Sequence, residues 1–400
     1  MNILFLTLVN IDDINERGIY NDLIRKFGTD GHKVYIVSPN ERRLKRATEI
    51  ISKDNIQTLK VKTFNIQKTN IIEKGIGTLL IEYQFLNGIK KYLPHIKFDL
   101  VLYSTPPITY AKIISYIKKR DNAICYLLLK DIFPQNAVDL GLIKKNSFLH
   151  KYFKKKENNL YKLSDYIGCM SPANIEHLKH NNPQVNPEKI ELNPNSIDPV
   201  ENILDSNETN EIKKRYNIPN NKNVFLYGGN LGLPQGIDFL IDVLSFFKLQ
   251  ENIFFLIIGS GTMYPKIQKW FTNNNPANAI LMEFIPKTDY DKIVQICDAG
   301  MIFLDPRFTI PNFPSRLLSY LENKKPVVLA TDTSTDIGKI AIDNNFGLWS
   351  KSGDLQSITK NINTLISNQK MQNTMGINGY NYFIHNCTTY HSYSTIIKHF

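Results

Sequence analysis

Two series of alternating strands and helices, one on each side of an Asn- and Pro-rich stretch, predict an α/β chain. The expected form is two Rossmann-like, doubly wound domains facing a central cleft. Short apolar runs rich in Val, Ile, Leu and Phe recur with helical patterns between them, as in parallel strands buried on both faces. Residues 181–223 (NNPQVNPEKIELNPNSIDP and the polar run up to NIPNNKN) break that rhythm and separate the two series. At 224–236, VFLYGGNLGLPQG joins a strand to a helix through a glycine-rich turn, and the rest of the chain is arranged around it.

In chain order, 2–9 is strand-like, 10–18 (NIDDINERG) is a polar loop, and 19–27 has helical spacing. Gly31 precedes a second strand, HKVYIVSP. This βαβ opening has a long first turn, and such turns at the carboxyl ends of parallel strands form ligand crevices. It is not a dinucleotide fingerprint, because no GxGxxG lies between Val9 and Ile19. Further strands are expected at 56–64, 98–104, 123–129 and 166–169. The domain boundary is placed near Asn195, giving domains 1–195 and 196–400. The second series has strands at 224–227, 253–258, 280–284, 300–304 and 326–330. The Tyr- and His-rich end, 378–400, is expected to pack back on the N-terminal domain.

With 42% hydrophobic and 21% charged residues, the composition is that of a globular chain and excludes a disordered one. Cys125, Cys169, Cys297 and Cys387 stand singly with no CxxC pair, which fits a reducing compartment and argues against structural zinc. The first residues read as a core strand and not a signal peptide, and no run of 18 apolar residues occurs. The expected location is the cytoplasm, or peripheral on the inner face of the plasma membrane.

The net charge of +11 is concentrated. Residues 144–162 (KKNSFLHKYFKKKENNLYK) hold seven lysines against one glutamate, with aromatic and leucine side chains interleaved. Two readings stand: an amphipathic face for an anionic membrane, with Lys154, Lys155 and Lys156 at its centre, or a solvated helix whose aromatics point inward. No recognised nucleic-acid motif accompanies the charge, so nucleic acid is not expected as a partner.

The 224–236 turn is suited to an anion. The first amides of the following helix lack intrahelical acceptors, the helix dipole adds positive charge, and glycines let a phosphate approach the backbone. Other chemistries find little support. Gly338-Lys339 is followed by Ile340, so there is no P-loop, and GxSxG and HExxH do not occur. His177 and His180 share a helix face without a third ligand, and Asp12-Asp13 reads as a solvated turn, so no metal is expected.

Five blocks stand in one order: GHKVYIVSP, KDIFPQNAVDLGLI (130–143), YGGNLGLPQGIDFLI (227–241), IGSG (258–261) and FPSRLLSYLENKKPVVLATDTSTDIGKI (313–340). In this the chain resembles glycosyltransferase family four of the GT-B fold, in its capsule and O-antigen branch that includes L-fucosaminyl transferases. The resemblance implies a donor site at Gly229, Asn230, Gln235, Ile285, Arg307, Ser315, Arg316 and Ser319, with Gly18 of the first loop approaching the donor. Asp131 is the implied catalytic position, orienting the acceptor or the transferred sugar. Two departures stand out. Asn230 and Gln235 occupy places where the family usually carries Arg and Lys, which leaves the diphosphate to Arg307 and Arg316. Pro311 and Ser319 stand where many members have two glutamates.

The implied activity is transfer of a sugar from a nucleoside diphosphate, expected to be a UDP-linked N-acetylated deoxyhexose. The acceptor would be polyprenyl-diphosphate-linked or an oligosaccharide. Retention of configuration, no metal and no other cofactor are expected. A sugar-nucleotide epimerase of the same fold and a non-catalytic nucleotide-sugar-binding protein are the alternatives.

Overall fold

The structure, a computed structural model, describes residues 1–66, 69, 71–200 and 203–400. The chain divides into two units: Met1–Asp198 with Thr389–Phe400, and Pro199–Thr388. The expected boundary near Asn195 and the observed one at Asp198 fall in the same stretch without helix or strand; of the polar run 181–223, residues 201 and 202 lie outside the described residues.

Unit one is built on eight strands: β1 (Asn2–Leu6), β2 (Lys33–Glu41), β3 (Glu49–Lys53), β4 (Ile56–Thr63), β5 (Leu100–Ser104), β6 (Ile124–Leu129), β7 (Tyr166–Cys169) and β8 (Ile190–Leu192). Their order is β3-β4-β2-β1-β5-β6-β7-β8, parallel except for β3 against β4. The helices are α1 (Asn21–Thr29), α2 (Ile71–Tyr92), α3 (Ala111–Asp121), α4 (Gln135–Asp139), α5 (Phe148–Leu163) and α6 (Pro172–Asn181). Alternation along β1 sends side chains to opposite faces. Leu4 and Leu6 join Phe85 of α2, Ile114 of α3 and Leu160 of α5, while Ile3 and Phe5 join Leu23, Ile24 and Phe27 of α1.

Unit two has six strands: β9 (Asn223–Gly228), β10 (Ile253–Ile258), β11 (Ala279–Met282), β12 (Ala299–Phe303), β13 (Val327–Thr331) and β14 (Gly347–Lys351). They are all parallel, in the order β11-β10-β9-β12-β13-β14. Its helices are α7 (Ser206–Arg215), α8 (Ile237–Phe247), α9 (Tyr264–Asn274), α10 (Lys287–Ile296), α11 (Arg316–Glu322), α12 (Ile337–Asp343), α13 (Leu355–Ile366) and α14 (Gln369–Asn386). This is the doubly wound order, which runs outward from β9 in one direction and restarts beside it at β12. Ligands of such sheets bind where the order reverses, outside the carboxyl ends of those two strands.

The last helix, α15 (Thr389–Ile397), belongs to unit one. Its backbone begins with Thr389 N–H donating to the Ile197 carbonyl (3.1 Å). Tyr393 lies edge-on to Phe27 with ring centroids 5.0 Å apart, and Ile396 is fully buried among Phe27, Leu23 and the β1 side chains. Beyond the helix, His399 stacks on Tyr166 at 3.5 Å and contacts Glu191. Ile396→Ala is therefore expected to cost about 2–5 kcal/mol of unit-one stability, the range for deleting a buried aliphatic side chain. Denaturant unfolding followed by limited proteolysis of unit one checks this, and a loss under about 1 kcal/mol would mean that α15 is not docked in solution.

Candidate functional site

In unit two the glycine turn sits at the strand-order reversal. β9 ends at Gly228, and Gly229 turns away with φ of +125°, a conformation that glycine adopts at no steric cost. Gly229 N–H donates to the Ile258 carbonyl at the end of β10 (2.9 Å), and Leu231 N–H to the Ser260 carbonyl (2.8 Å). The turn is thus laced to the IGSG segment. That segment passes so close that a Cβ on Gly259 would lie 1.8 Å from the Gly229 carbonyl oxygen. On the other side, Asp305 N–H after β12 donates to the Pro234 carbonyl (3.0 Å), and Gly236 (φ +55°) packs on the Leu304 carbonyl before α8 begins. Three strand ends and the first amides of α8 converge here.

Arg316 reaches into this convergence from the start of α11. Its guanidinium lies over the Tyr227 ring, 4.6 Å from the centroid, and against Gly229. Nη2 donates to Gln235 Oε1, whereas Nη1 is buried with no hydrogen-bond partner. A buried guanidinium N–H without an acceptor is costly, and an anionic oxygen would relieve it. Around it stands a set of tyrosines. Tyr227 hydroxyl donates to the Asn230 carbonyl (2.7 Å), Tyr320 hydroxyl donates to the Leu226 carbonyl (3.0 Å), and Tyr290 packs against Gly228. Burial pushes the Tyr290 hydroxyl up to about 12, so it stays a neutral donor.

The other expected donor residues divide. Asn230 is exposed, with its amide over Gly232 and beside Gly261, and Gln235 holds Arg316. Ser315 is exposed at the start of α11, and Ser319 is half-buried one turn on, its hydroxyl donating to the Arg316 carbonyl (3.1 Å). Ile285 is buried beside Phe284, which is exposed just after β11. Arg307 does not offer the free charge expected of it. Asp305 takes its Nε at 2.8 Å and Nη2 at 2.7 Å, and this pairing holds the Asp305 carboxyl below its ordinary range despite burial. The physical reason is local: two residues apart in one turn, the fork and the carboxylate meet face to face.

Unit one has its own reversal between β1 and β5, and Asp131 lies just beyond β6 near it. Its carboxylate accepts both bonds, each 2.8 Å, from Asn136 Nδ2, while its backbone N–H donates to Thr105 Oγ1 (3.1 Å). Burial raises the carboxyl from 3.8 to about 6, against the stabilising bonds of the Ile132 amide and Asn136. Tyr20, hydrogen-bonded to Ser104, is close enough for the Asp131 charge to help burial push its hydroxyl up to about 12. Because the folded-state carboxyl binds its proton more tightly than the unfolded one, stability falls as pH rises from about 4 to about 6. Asp131→Asn should flatten that slope, measured by denaturation at a series of pH values. An unchanged slope would show that Asp131 titrates normally.

Gly18 also sits in unit one, at the end of the first loop. A Cβ there would meet nothing, but its N–H donates to Asp22 Oδ1 (3.0 Å) and its carbonyl accepts from Asp22 N–H (2.9 Å), so both backbone groups are held by the first turn of α1. Of the three central lysines on α5, Lys155 is exposed. Lys154 is half-buried against Glu157 (2.6 Å) and Asn182 (3.2 Å), and Lys156 lies over Tyr152. The expected basic face is therefore drawn by Lys151 and Lys155, not by Lys154. Among the described residues, no group of three His, Cys, Asp or Glu side chains converges to hold a metal, and no helix is long and apolar enough to cross a membrane.

Sequence reasoning passed over Tyr227, Tyr290, Asp305 and the packing role of Gly259. Of these, the Asp-x-Arg spacing at 305–307 was the one visible signal.

Residues 208–382, within unit two, match the family described as Glycosyl transferases group 1. The chain is 22% identical over 286 residues to a probable glycosyltransferase, WbjE, of Pseudomonas aeruginosa, covering 70% of this chain and 68% of that protein. Its fold is that of GT-B glycosyltransferases. HepE of Anabaena, solved in complex with UDP, superposes with a TM-score of 0.70 at 13% identity over 100% of this chain and 99% of that one. WaaG, a glycosyltransferase involved in lipopolysaccharide biosynthesis, does so at 0.66 and 13%, over 99% and 98%.

Proposed function

We propose that the protein is a glycosyltransferase of surface polysaccharide synthesis. It moves a sugar from a nucleoside diphosphate, a UDP-linked N-acetylated deoxyhexose, to a polyprenyl-diphosphate-linked or oligosaccharide acceptor. The observation that carries the reading is the orphaned guanidinium N–H of Arg316 at the glycine turn of the strand-order reversal. UDP held by HepE, a protein of the same fold, supports a uridine donor.

In this reaction the anomeric C–O bond breaks as its electron pair moves onto the leaving diphosphate, while the acceptor oxygen bonds to the anomeric carbon. Fixed donors aimed at the developing charge lower the barrier. Arg316 supplies the positive charge, and the α8 amides and Asn230 supply neutral hydrogen bonds. With Arg307 matched by Asp305, little other cationic help is at hand in the turn. A donor phosphate oxygen takes the acceptor proton on the face of departure, which gives retention without a metal or a protein base. Asp131 orients the acceptor or the transferred sugar. Lys151, Lys155 and their neighbours hold the enzyme to the anionic inner face of the plasma membrane, where its acceptor lies.

Calorimetry with a panel of UDP-, GDP- and dTDP-sugars, followed by transfer assays on lipid-linked acceptors, tests this. One UDP-sugar should bind and turn over. No binding by any member would overturn the reading. Binding without transfer would favour a nucleotide-sugar sensor, which Pro311 and Ser319, standing in place of two glutamates, would suit.

A further inference from the structure

Helix α2 has two apolar faces, and one of them is uncovered among the described residues. Ile81, Phe85 and Ile89 are fully buried against the unit-one sheet. Ile76, Leu79, Leu80 and Tyr83 are 46, 50, 38 and 65% exposed. Their spacing of i, i+3, i+4 and i+7 lines them along one side of two turns. Farther on, the same side turns polar at Asn87 and Lys90, as a solvated face should.

The approach to α5 repeats the feature. Leu142 is 67% exposed and Phe148, at the first turn, 86%. Lys144, Lys145, Lys151 and Lys155 stand exposed around them. The two helices are neighbours across α3. Glu82, buried on α2, accepts from the Lys112 N–H at the start of α3, and the charge of Lys156 on α5 acts on it.

We propose that the outer side of α2, together with the start of α5, docks on an anionic lipid bilayer. The stripe of Ile76, Leu79, Leu80 and Tyr83 enters the interfacial layer, and the α5 lysines meet the lipid phosphates. The proposal rests on the membrane placement given above and adds the element that inserts, which the basic segment alone does not supply. Charge selects this occupant: a second copy of the chain seated on the same surface would bring two sets of these lysines together.

A Leu79→Cys variant labelled with a polarity-sensitive dye tests it, since Cys125, Cys169, Cys297 and Cys387 are all buried and leave the new thiol selectively reactive. On phosphatidylglycerol/phosphatidylcholine vesicles the dye should brighten and shift to the blue, and on phosphatidylcholine alone it should not. Lys151→Ala with Lys155→Ala should weaken vesicle partition about 30-fold. Leu79→Asp with Leu80→Asp, at an unchanged thermal melt, should weaken it at least about tenfold. A dye that stays in water while the protein sediments with anionic vesicles would overturn insertion by α2 and leave the membrane placement standing. Failure to bind anionic vesicles at all, with UDP-sugar binding intact, would overturn both and spare the transferase reading. A dye response that depends on protein concentration without vesicles would assign the surface to a second copy and overturn the proposal.

Discussion

Replacing Arg316 by alanine is expected to weaken nucleoside diphosphate binding by about 1.5–3 kcal/mol, or about 10- to 150-fold, the range for a lost hydrogen bond to a charged group. Arg316 is fixed before any ligand arrives: stacked on Tyr227, held through Nη2 by Gln235, and left with Nη1 unpartnered. A side chain so held loses little freedom on binding, so most of the interaction should appear as affinity. Arg316→Lys should recover only a minor part, because an ammonium cannot stack on the ring and bond Gln235 and a phosphate together. Arg307→Ala is the informative contrast. Its guanidinium is already matched by Asp305 and is nearly half exposed, so its loss should change affinity by less than about 0.5 kcal/mol. Calorimetric titration of the three variants with UDP decides the matter. Equal losses at 307 and 316 would show that the Asp305 pair opens to the ligand.

Gly259→Ala should be the most damaging single methyl group in unit two. The new Cβ would lie 1.8 Å from the Gly229 carbonyl oxygen and 2.9 Å from its carbon. Both are backbone atoms and cannot rotate aside, so β10 and the glycine turn must part. Overpacking of a side-chain site costs about 1–3 kcal/mol, and a backbone clash should reach the top of that range or pass it. A drop in Tm of about 6–12 °C is expected, along with loss of nucleotide binding if the glycine turn holds the diphosphate as proposed, because the atom displaced belongs to that turn. Gly75→Ala, where a Cβ meets nothing on an exposed helix face, should be neutral or slightly stabilising. If Gly259→Ala melts like the parent, the turn and the IGSG segment are not packed as described.

Much of this fold was legible because parallel strands buried on both faces read as plain apolar runs. β1, β2, β4 to β7 and β9 to β13 fall within a few residues of where such runs stand. Three strands were not legible, each for its own reason. β3 (EIISK) is exposed throughout and pairs antiparallel at an edge, so nothing in its pattern demands burial. β8 is three residues long inside an Asn- and Pro-rich stretch, and β14 (GLWSK) alternates weakly behind a polar turn. At the site, the glycines announced a turn at the right strand end. What the turn does depended on pairings across long separations, such as Arg316 with Gln235 and Tyr227, which no local pattern encodes. Arg307 shows the reverse case: its pairing with an acid two residues away is local and could be read from the Asp-x-Arg spacing alone.

The return of α15 to unit one makes unit two an insertion in the chain's order of synthesis. When a ribosome has completed Asp198, the α1 side of the first sheet has Phe27 and Leu23 in place but not Ile396 or Tyr393 to cover them. At about 5–20 residues per second, all of Pro199–Thr388 must be made before that cover exists, a wait of about 10–40 s. Through that interval the nascent first unit carries an open apolar patch while the second is being made. A chaperone that holds nascent chains would find its site there, and release from it would wait on the final helix.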